Sequence, residues 1–243
     1  MAQETFDKLL DGDWELVFED SGTQNWQDNW FVDGERADIR NTPEGMVFSA
    51  GPVAYDNGSH SVLWTRESFA GNIRIEFDFT RLDTITRFVN ILYIQATGIG
   101  EEPYTEDIAE WADLRQVPFM SSYFNNMNLL HISYAAFGNQ DDKDEDYVRA
   151  RRYPARPDRP FGETDLSPDN FETGLFRPGK TYHICAIKTD DHLFFDVQGE
   201  EQGDLFHWPL NDVEPIDHGR VGIRHMWTRC SRYANVQVWT EEN

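Results

Sequence analysis

Lysine is scarce in this chain, and long apolar runs are absent from it. The 243 residues include four lysines against seventeen arginines, and 44 acidic residues against 21 basic ones give a formal net charge of -23. So acidic a surface disfavours general binding to nucleic acid or to an anionic membrane. No run approaches the ~20 consecutive apolar residues that a membrane-spanning helix needs. We therefore expect neither nucleic acid nor a membrane as a partner.

Cysteine is also rare, and the two that are present, Cys185 and Cys230, do not have the spacing of a metal site. The first twenty residues have neither the basic region nor the apolar run of a secretory signal. We therefore expect a cytoplasmic protein with two reduced thiols, while a single disulfide between them stays open. We expect no cofactor and no catalytic metal. A structural calcium ion held by loop aspartates is an open alternative.

The motifs of several enzyme classes are missing. The chain has no G-x-S-x-G nucleophile turn, no P-loop, no H-E-x-x-H zinc motif and no G-x-G-x-x-G dinucleotide motif. Glu76 and Asp78 match the start of the E-x-D-x-x-E triplet of jelly-roll β-glucanases, but the third position is Arg81. This departure argues against a retaining hydrolase of that type, which needs paired carboxylates.

The dominant sequence period is two, which is typical of β-strands. In 72–80, "NIRIEFDFT", four apolar residues alternate with polar ones and predict a half-buried strand of an antiparallel sheet. Turn-forming sequences such as "GNQDDKDED" at 138–146 separate it from further runs of this kind. Those runs lie at 87–98, 129–137, 146–153, 181–190, 192–199, 220–227 and 233–240.

Helical patterning is confined to 105–116, where Thr105 could cap the first turn. Neither an internal repeat nor a linker divides the chain. We therefore predict a single domain spanning 1–243, with an all-β fold: a jelly-roll sandwich of two antiparallel sheets and one short helix. In such a sandwich one curved sheet can form a groove, and each strand gives alternate side chains to the core and to that groove.

Acidic residues are absent from one segment of this acidic chain, positions 218–240, which contains Arg220, Arg224, Arg229 and Arg232. A second basic cluster lies at 149–159. Together the clusters predict a local anion site, because guanidinium groups bind carboxylates with two hydrogen bonds. The alternative is that these arginines pair with surface carboxylates from elsewhere in the chain.

Strand alternation indicates which polar side chains face the groove. If Val221 and Ile223 are core residues, Arg224 points into the groove and Gly222 leaves room beside it. His225 reaches the groove only if the strand ends or bulges near it. His131 is a further candidate because it alternates with Leu130 and Ile132, and Arg149 and Arg151 share one side of their strand. Trp227 could stack its ring on a sugar, and Arg229 lies on the following turn.

Four blocks of sequence resemble the YesU-like family of bacterial proteins, a domain of unknown function: "NLLHISY", "YVRARRYP", "GLFRPGKTYHICAIK" and "GRVGIRHMWTRCSRYANVQVW". The resemblance covers most of the chain. It implies a concanavalin-like jelly-roll fold. Because the type member is encoded among genes for pectin breakdown, the resemblance also implies a role with carbohydrates. It carries over no catalytic residue.

The hypothesis that joins these observations is a protein that binds acidic, uronate-containing oligosaccharides and cleaves them by β-elimination. Arg224, with Arg149 or Arg151, would neutralise the carboxylate of the substrate, so that its C5 proton becomes acidic. Trp227 and Arg229 would add substrate contacts. Two alternatives stay open, a glycoside hydrolase of the same fold and a non-catalytic carbohydrate-binding module. The sugar, the linkage and the oligomeric state are not determined by the sequence.

Histidine and tyrosine are the candidate acid and base groups. A neutral histidine is a natural base near pH 7, so His131 or His225 would remove the C5 proton. Alternation places Tyr134 on the opposite side of its strand from His131. The acid that protonates the leaving oxygen is therefore expected on another strand, at Tyr233.

Overall fold

The computed structural model describes residues 2–138 and 145–241, so most of the turn predicted at 138–146 lies outside the described residues. Those residues form sixteen β-strands and two short α-helices. In chain order they are α1 (Ala2–Leu10), β1 (Trp14–Asp20), β2 (Trp30–Asp33), β3 (Asp38–Thr42), β4 (Gly45–Ser49), β5 (Ser61–Thr65), β6 (Phe69–Ala70), β7 (Ile73–Arg81), β8 (Asn90–Gly98), α2 (Met120–Asn126), β9 (Met127–Phe137), β10 (Asp146–Tyr153), β11 (Asp165–Phe171), β12 (Thr181–Lys188), β13 (His192–Gly199), β14 (Gly203–Pro209), β15 (His218–His225) and β16 (Cys230–Glu241). Short 3-10 helices lie at Trp26–Asp28, Asn57–Ser59, Ala112–Arg115 and Phe161–Glu163.

The strands form two antiparallel sheets, which confirms the predicted jelly-roll sandwich. The back sheet has the order β14-β13-β12-β7-β16-β4-β3, with β1 paired to β16. The front sheet has the order β11-β10-β9-β8-β15-β5-β2, with β6 paired to β15. Neighbouring strands in space are often far apart in the chain, so the sheets hold distant segments in fixed register. Cys185 and Cys230 are free thiols, as predicted.

The core lies between the sheets and follows the predicted alternation. On β7, Ile73, Ile75, Phe77 and Phe79 are buried and face the front sheet. The front sheet contributes Leu92, Ile94, Leu130, Ile132, Val221 and Ile223 to the same cluster. Burying a side chain of this kind stabilises the fold by roughly 1.5–3 kcal/mol. Because one face of each front-sheet strand belongs to this core, the other face is available for a site.

The helix predicted at 105–116 does not form. The segment consists of turns and a 3-10 helix at Ala112–Arg115. The Arg115 guanidinium donates to the carbonyl oxygens of Trp111 and Ile108, at 3.2 and 2.9 Å. It thereby satisfies carbonyl groups that a continuous helix would pair with backbone N–H groups. Both helices that do form, α1 and α2, lie outside the predicted range.

Residues 104–126 cross the outer face of the front sheet, and we call them the covering segment. Ile108, Trp111 and Tyr123 of this segment form a second apolar cluster with front-sheet side chains that include Trp64 and Tyr93. The front sheet is therefore buried on both faces over part of its area. The uncovered remainder of its outer face forms a cavity.

A buried carboxylate fastens the covering segment to the sheet. Oδ2 of Asp33, on β2, accepts hydrogen bonds from Trp64 Nε1 at 2.8 Å, from Arg115 Nε at 2.6 Å and from the Tyr123 hydroxyl at 3.0 Å. The Asp33 and Arg115 side chains are both fully buried. One donor belongs to the sheet and two belong to the covering segment, so a single oxygen atom joins the two layers.

Candidate functional site

The cavity on the outer face of the front sheet has a volume of about 350 Å³. Side chains from β8, β9, β10 and β15 line it, together with Met120 and Phe124 of α2 and residues of the loop that contains His60. None of the described residues that line it is acidic, although the chain as a whole carries 44 acidic residues. Three arginines line it, namely Arg149, Arg151 and Arg224.

The floor of the cavity is one row of residues that runs across four strands. Arg149 is the Cα partner of Ser133, Ser133 is the partner of Ile91, and Ile91 is the partner of Arg224. The two arginines thus stand at opposite ends of the floor, three strand spacings or about 14 Å apart along the sheet. Arg151 stands beside Arg149 in the next row, opposite His131. All four predicted groove residues of these strands share the outer face, as alternation indicated.

Arg224 is the most unusual of the three arginines. It is only 1% exposed, its guanidinium lies 4.4 Å above the ring of Tyr123, and its Nη2 donates to the Pro118 carbonyl at 3.1 Å. Its Nη1 has no hydrogen-bond partner among the described residues, and no described carboxylate forms an ion pair with it. Burial of a charge without a counter-charge is costly, by several kcal/mol per ion.

Arg149 and Arg151 are compensated by carboxylates. Arg149 Nη2 lies 2.5 Å from Asp169 Oδ2, and Arg151 Nη2 lies 2.8 Å from Asp165 Oδ1. Burial opposes the charge of Arg149, but the hydrogen bond with Asp169 and its charge raise the pKa of Arg149 overall. Arg151 Nη1 also donates to the carbonyl of Phe161 at 3.0 Å. These contacts hold both guanidinium groups at the edge of the cavity.

His131 lies beneath the arginines in a chain of hydrogen bonds. Its Nδ1 is 2.8 Å from the Tyr153 hydroxyl, and its Nε2 is 2.7 Å from Ser133 Oγ. Burial, and then the charges of Arg151, Arg224 and Arg149, hold the pKa of His131 well below its usual value. The ring is therefore neutral at pH 7, with one nitrogen donating and the other accepting.

Aromatic rings form the wall of the cavity next to β15. Trp227 stacks on His60 with ring centroids 4.1 Å apart, and Tyr55 lies 5.7 Å from Trp227 at the surface. Trp227 Nε1 and His60 Nδ1 have no hydrogen-bond partner within the described part of the chain. Burial and the charge of Arg224 lower the pKa of His60 to about 2, so this ring is also neutral. The predicted groove position of Trp227 agrees with its place in this wall.

His225 and Tyr233 lie inside the sandwich, so the prediction that they reach the groove is wrong. His225 is fully buried, its Nε2 is 2.8 Å from the Tyr233 hydroxyl, and its ring stacks on Phe48 at 4.3 Å. The Tyr233 hydroxyl also pairs with that of Tyr134 at 2.9 Å. The strand β15 stays in regular register through His225, and its only irregularity falls earlier, between Arg220 and Gly222. Alternation therefore keeps His225 on the core side.

Arg229 is likewise absent from the cavity. It lies on the turn between β15 and β16, fully buried, with its Nε 3.0 Å from Asp83 Oδ2. Its Nη1 donates to the Arg87 carbonyl at 3.0 Å. Arg220, in the same acid-free segment, pairs with Asp107. Carboxylates from other segments thus reach this stretch in space, and Arg224 alone among its arginines lines the cavity.

The lining also includes residues that were not predicted, among them Ser133, His60 and Tyr147. Ser133 shares a strand face with His131, so alternation was the signal that could have found it. His60 lies at the end of the 3-10 helix Asn57–Ser59, in a loop without periodicity. No local pattern could have assigned it to a cavity formed by distant strands.

Comparisons with known proteins identify the fold class. The chain is similar to a protein of unknown function with a galectin-like fold from Bacillus subtilis, at 16% identity and a TM-score of 0.70, over 95% of this chain and 100% of that one. It is similar to the exoplasmic/lumenal domain of VIP36 in a form bound to Ca2+ and Man3GlcNAc, at 8% identity and a TM-score of 0.61, over 94% and 92%. It is also similar to lectin II of Ulex europaeus, at 10% identity and a TM-score of 0.58, over 94% and 100%.

These likenesses establish a lectin-like jelly-roll sandwich. No protein-family profile matches the chain, and no curated protein matches it. The resemblance to the YesU-like family therefore stays a prediction. Within the described residues, no group of three or more histidine, cysteine or acidic side chains is arranged to hold a metal ion. None of the described helices is long and apolar enough to cross a membrane.

Proposed function

We propose that the protein binds acidic, uronate-containing oligosaccharides in the front-sheet cavity. The observation that carries the proposal is Arg224, a buried guanidinium with an unpartnered N–H group and no described carboxylate beside it. A ligand carboxylate would supply the missing counter-charge and a charge-assisted hydrogen bond. The strongly acidic exterior is separated from this position by a cavity whose lining, in the described part of the chain, contains no acidic residue.

The remaining lining suits a sugar. Trp227 offers a flat ring at the cavity wall, and the buried Trp227 Nε1 and His60 Nδ1 have no hydrogen-bond partner among the described residues, so a sugar hydroxyl group that reached them would satisfy them. Arg149, Arg151 and Ser133 add polar groups along the floor. Small-ligand sites commonly combine such an apolar wall with a few placed polar groups. The similarity in fold to a lectin and to a domain bound to Man3GlcNAc supports carbohydrate as the ligand class.

Calorimetric titration with oligogalacturonate, oligomannuronate and hyaluronan fragments tests the binding proposal. We expect the wild type to bind at least one of them and Arg224→Met to weaken that binding by tenfold or more, because a hydrogen bond to a charged group contributes about 1.5–3 kcal/mol. Arg156→Met is the matched control, since Arg156 is half-exposed, pairs with Glu214 and does not line the cavity. Equal affinities of the two variants would contradict the proposal.

A second candidate function is cleavage of the same ligands by β-elimination, favoured by the neutral His131 beside three arginines. In this reaction the C5–H bond breaks toward His131, a C4–C5 double bond forms and the bond from C4 to the leaving oxygen breaks. Tyr147, which lines the cavity and whose pKa is raised by burial, would protonate that oxygen. A bound carboxylate would offset the arginine charges and so make His131 a stronger base.

The absorbance of the unsaturated product distinguishes elimination from the alternatives. We expect the wild type to generate ultraviolet absorbance from a bound oligosaccharide, and His131→Gln to abolish it while ligand still binds. His192→Gln is the control, because His192 lies on the back sheet. New reducing ends without absorbance would identify a hydrolase instead, and binding without either product would leave a carbohydrate-binding protein.

A further inference from the structure

The two ends of the cavity floor differ in net charge. At the β10 end, Arg149 and Arg151 face Asp165 and Asp169, so two positive charges are balanced by two negative ones. At the β15 end, Arg224 carries one positive charge that no described carboxylate balances. With about 14 Å of sheet between the two ends, each end acts on a different part of a bound ligand.

We propose that Arg224 alone recognises the ligand carboxylate, whereas Arg149 and Arg151 recognise hydroxyl groups. This inference rests on the proposed binding function and names the residue that sets its specificity for acidic sugars. The ligand class is a uronate with its carboxylate toward β15 and its hydroxyl groups toward β10.

Electrostatics at the β10 end supports this assignment. A carboxylate placed beside Arg149 would also lie near Asp165 and Asp169, and repulsion by these two groups would offset the attraction of the arginines. A hydroxyl group has no such penalty. Arg149 Nε lies 3.8 Å from Asp165 Oδ1, is buried and makes no hydrogen bond among the described residues, so a neutral oxygen brought within reach would complete its hydrogen bonding.

The surroundings of Arg224 support the opposite assignment at the β15 end. Its guanidinium is fixed by the ring of Tyr123 and by the Pro118 carbonyl, while the buried Nη1 has no hydrogen-bond partner among the described residues. A fixed donor loses little side-chain entropy when a ligand binds. The floor between the two ends consists of Ser133 and Ile91, which carry no charge, so a sugar ring can lie across them.

A cycle of variants and ligands tests the inference. The ligands are the uronate fragment that the wild type binds best and its methyl ester, which keeps the ring hydroxyls and removes the charge. We expect the wild type to prefer the acid by about tenfold or more, since a hydrogen bond between charged groups is worth about 1.5–3 kcal/mol. Arg224→Met should abolish this preference. Arg149→Met should lower the affinity for the acid and the affinity for the ester by the same factor, and so preserve the preference for the acid.

Two further measurements make the result decisive. Arg224→Lys retains a positive charge, so it should keep part of the preference for the acid, which a merely structural role of Arg224 would not produce. Added salt should reduce the preference for the acid over the ester in the wild type and in Arg149→Met. It should leave the ratio of the two affinities unchanged in Arg224→Met. The inference would be overturned if Arg149→Met lost the preference for the acid, or if Arg224→Met lowered the affinities for the acid and the ester by the same factor. Failure of the wild type to bind any uronate fragment would instead refute the proposed function.

Discussion

At the scale of single residues, Gly222 makes room for the stack of aromatic rings on which Arg224 lies. A Cβ atom on Gly222 would lie 2.3 Å from Cζ3 of Trp64, so only glycine fits beneath that ring. Trp64 stacks on Tyr93, and Tyr93 stacks on Tyr123, with centroid distances of 5.3 and 5.9 Å. Arg224 lies on the last ring of this stack. Because Gly222 has no Cβ atom, this stack can form, and the stack helps to position Arg224.

The substitution Gly222→Ala should destabilise the protein by about 1–3 kcal/mol, because an added methyl group in a packed region forces side chains and backbone to shift. The measurement is the free energy of unfolding in urea. Gly162→Ala is the control, since a Cβ atom at Gly162 would meet nothing within 4 Å. A Gly222→Ala protein as stable as the Gly162→Ala protein would show that Trp64 can move aside freely.

Residue positions within a strand were predictable when the strand was regular. Alternation placed Arg224 on the outer face and predicted that Gly222 leaves room there, although the room is taken by Trp64. The same rule favoured a core position for His225. The idea of a bulge that would turn His225 outward was wrong because the pairing of β15 continues through this residue. His225 therefore follows the alternation of β15, and the bulge that would have made it an exception does not occur.

At the scale of elements, the strands were predictable and the covering segment was not. A period of two is a local property, so it identifies a strand and its two faces without knowledge of the fold. The path of residues 104–126 depends instead on Asp33 meeting Arg115, which lies 82 residues away in the chain. Such a contact has no sequence signal, and for that reason an amphipathic helix was predicted where turns occur.

Removing the buried ion pair should loosen the covering segment. Arg115→Leu leaves the Asp33 carboxylate buried without its counter-charge, which typically costs about 3–5 kcal/mol. We expect a loss of unfolding free energy of that size, and faster amide hydrogen exchange in 104–126 than in the strands beneath it. The wild type provides the reference exchange rates.

The control for Arg115→Leu is Arg177→Leu. Arg177 pairs with Glu201 at the surface, where both side chains are about half exposed, so its removal should change stability by no more than about 1 kcal/mol. If the two substitutions had equal effects, or if exchange in 104–126 stayed as slow as in the wild type, the Asp33–Arg115 pair would not be what fastens the covering segment.

At the scale of the whole molecule, four of the seven histidines form two groups with opposite effects on stability. His183 is half-exposed on the back sheet between Glu76 and Asp78, and hydrogen bonds with these carboxylates raise its pKa to about 9. Its contribution is complete below pH 6.5 and is lost as the pH rises toward 9. Burial lowers the pKa of His60 to about 2 and that of His225 to about 3, and it also holds the pKa of His131 well below normal.

The three buried histidines should make the protein less stable in mild acid. Between about pH 5 and 6 they are protonated in the unfolded chain and neutral in the folded one, so unfolding takes up protons and stability falls as the pH falls. Three such groups together give a slope of at most about 4 kcal/mol per pH unit. Urea unfolding at pH 5.0, 5.5 and 6.0 measures this slope.

His225→Gln should reduce the number of protons taken up on unfolding by about one, and so reduce the slope, even though the loss of the bond to Tyr233 lowers stability at every pH. His183→Gln should leave the slope in this range unchanged, because His183 is protonated in both states there. An unchanged slope in His225→Gln would mean that this ring is already charged inside the folded sandwich.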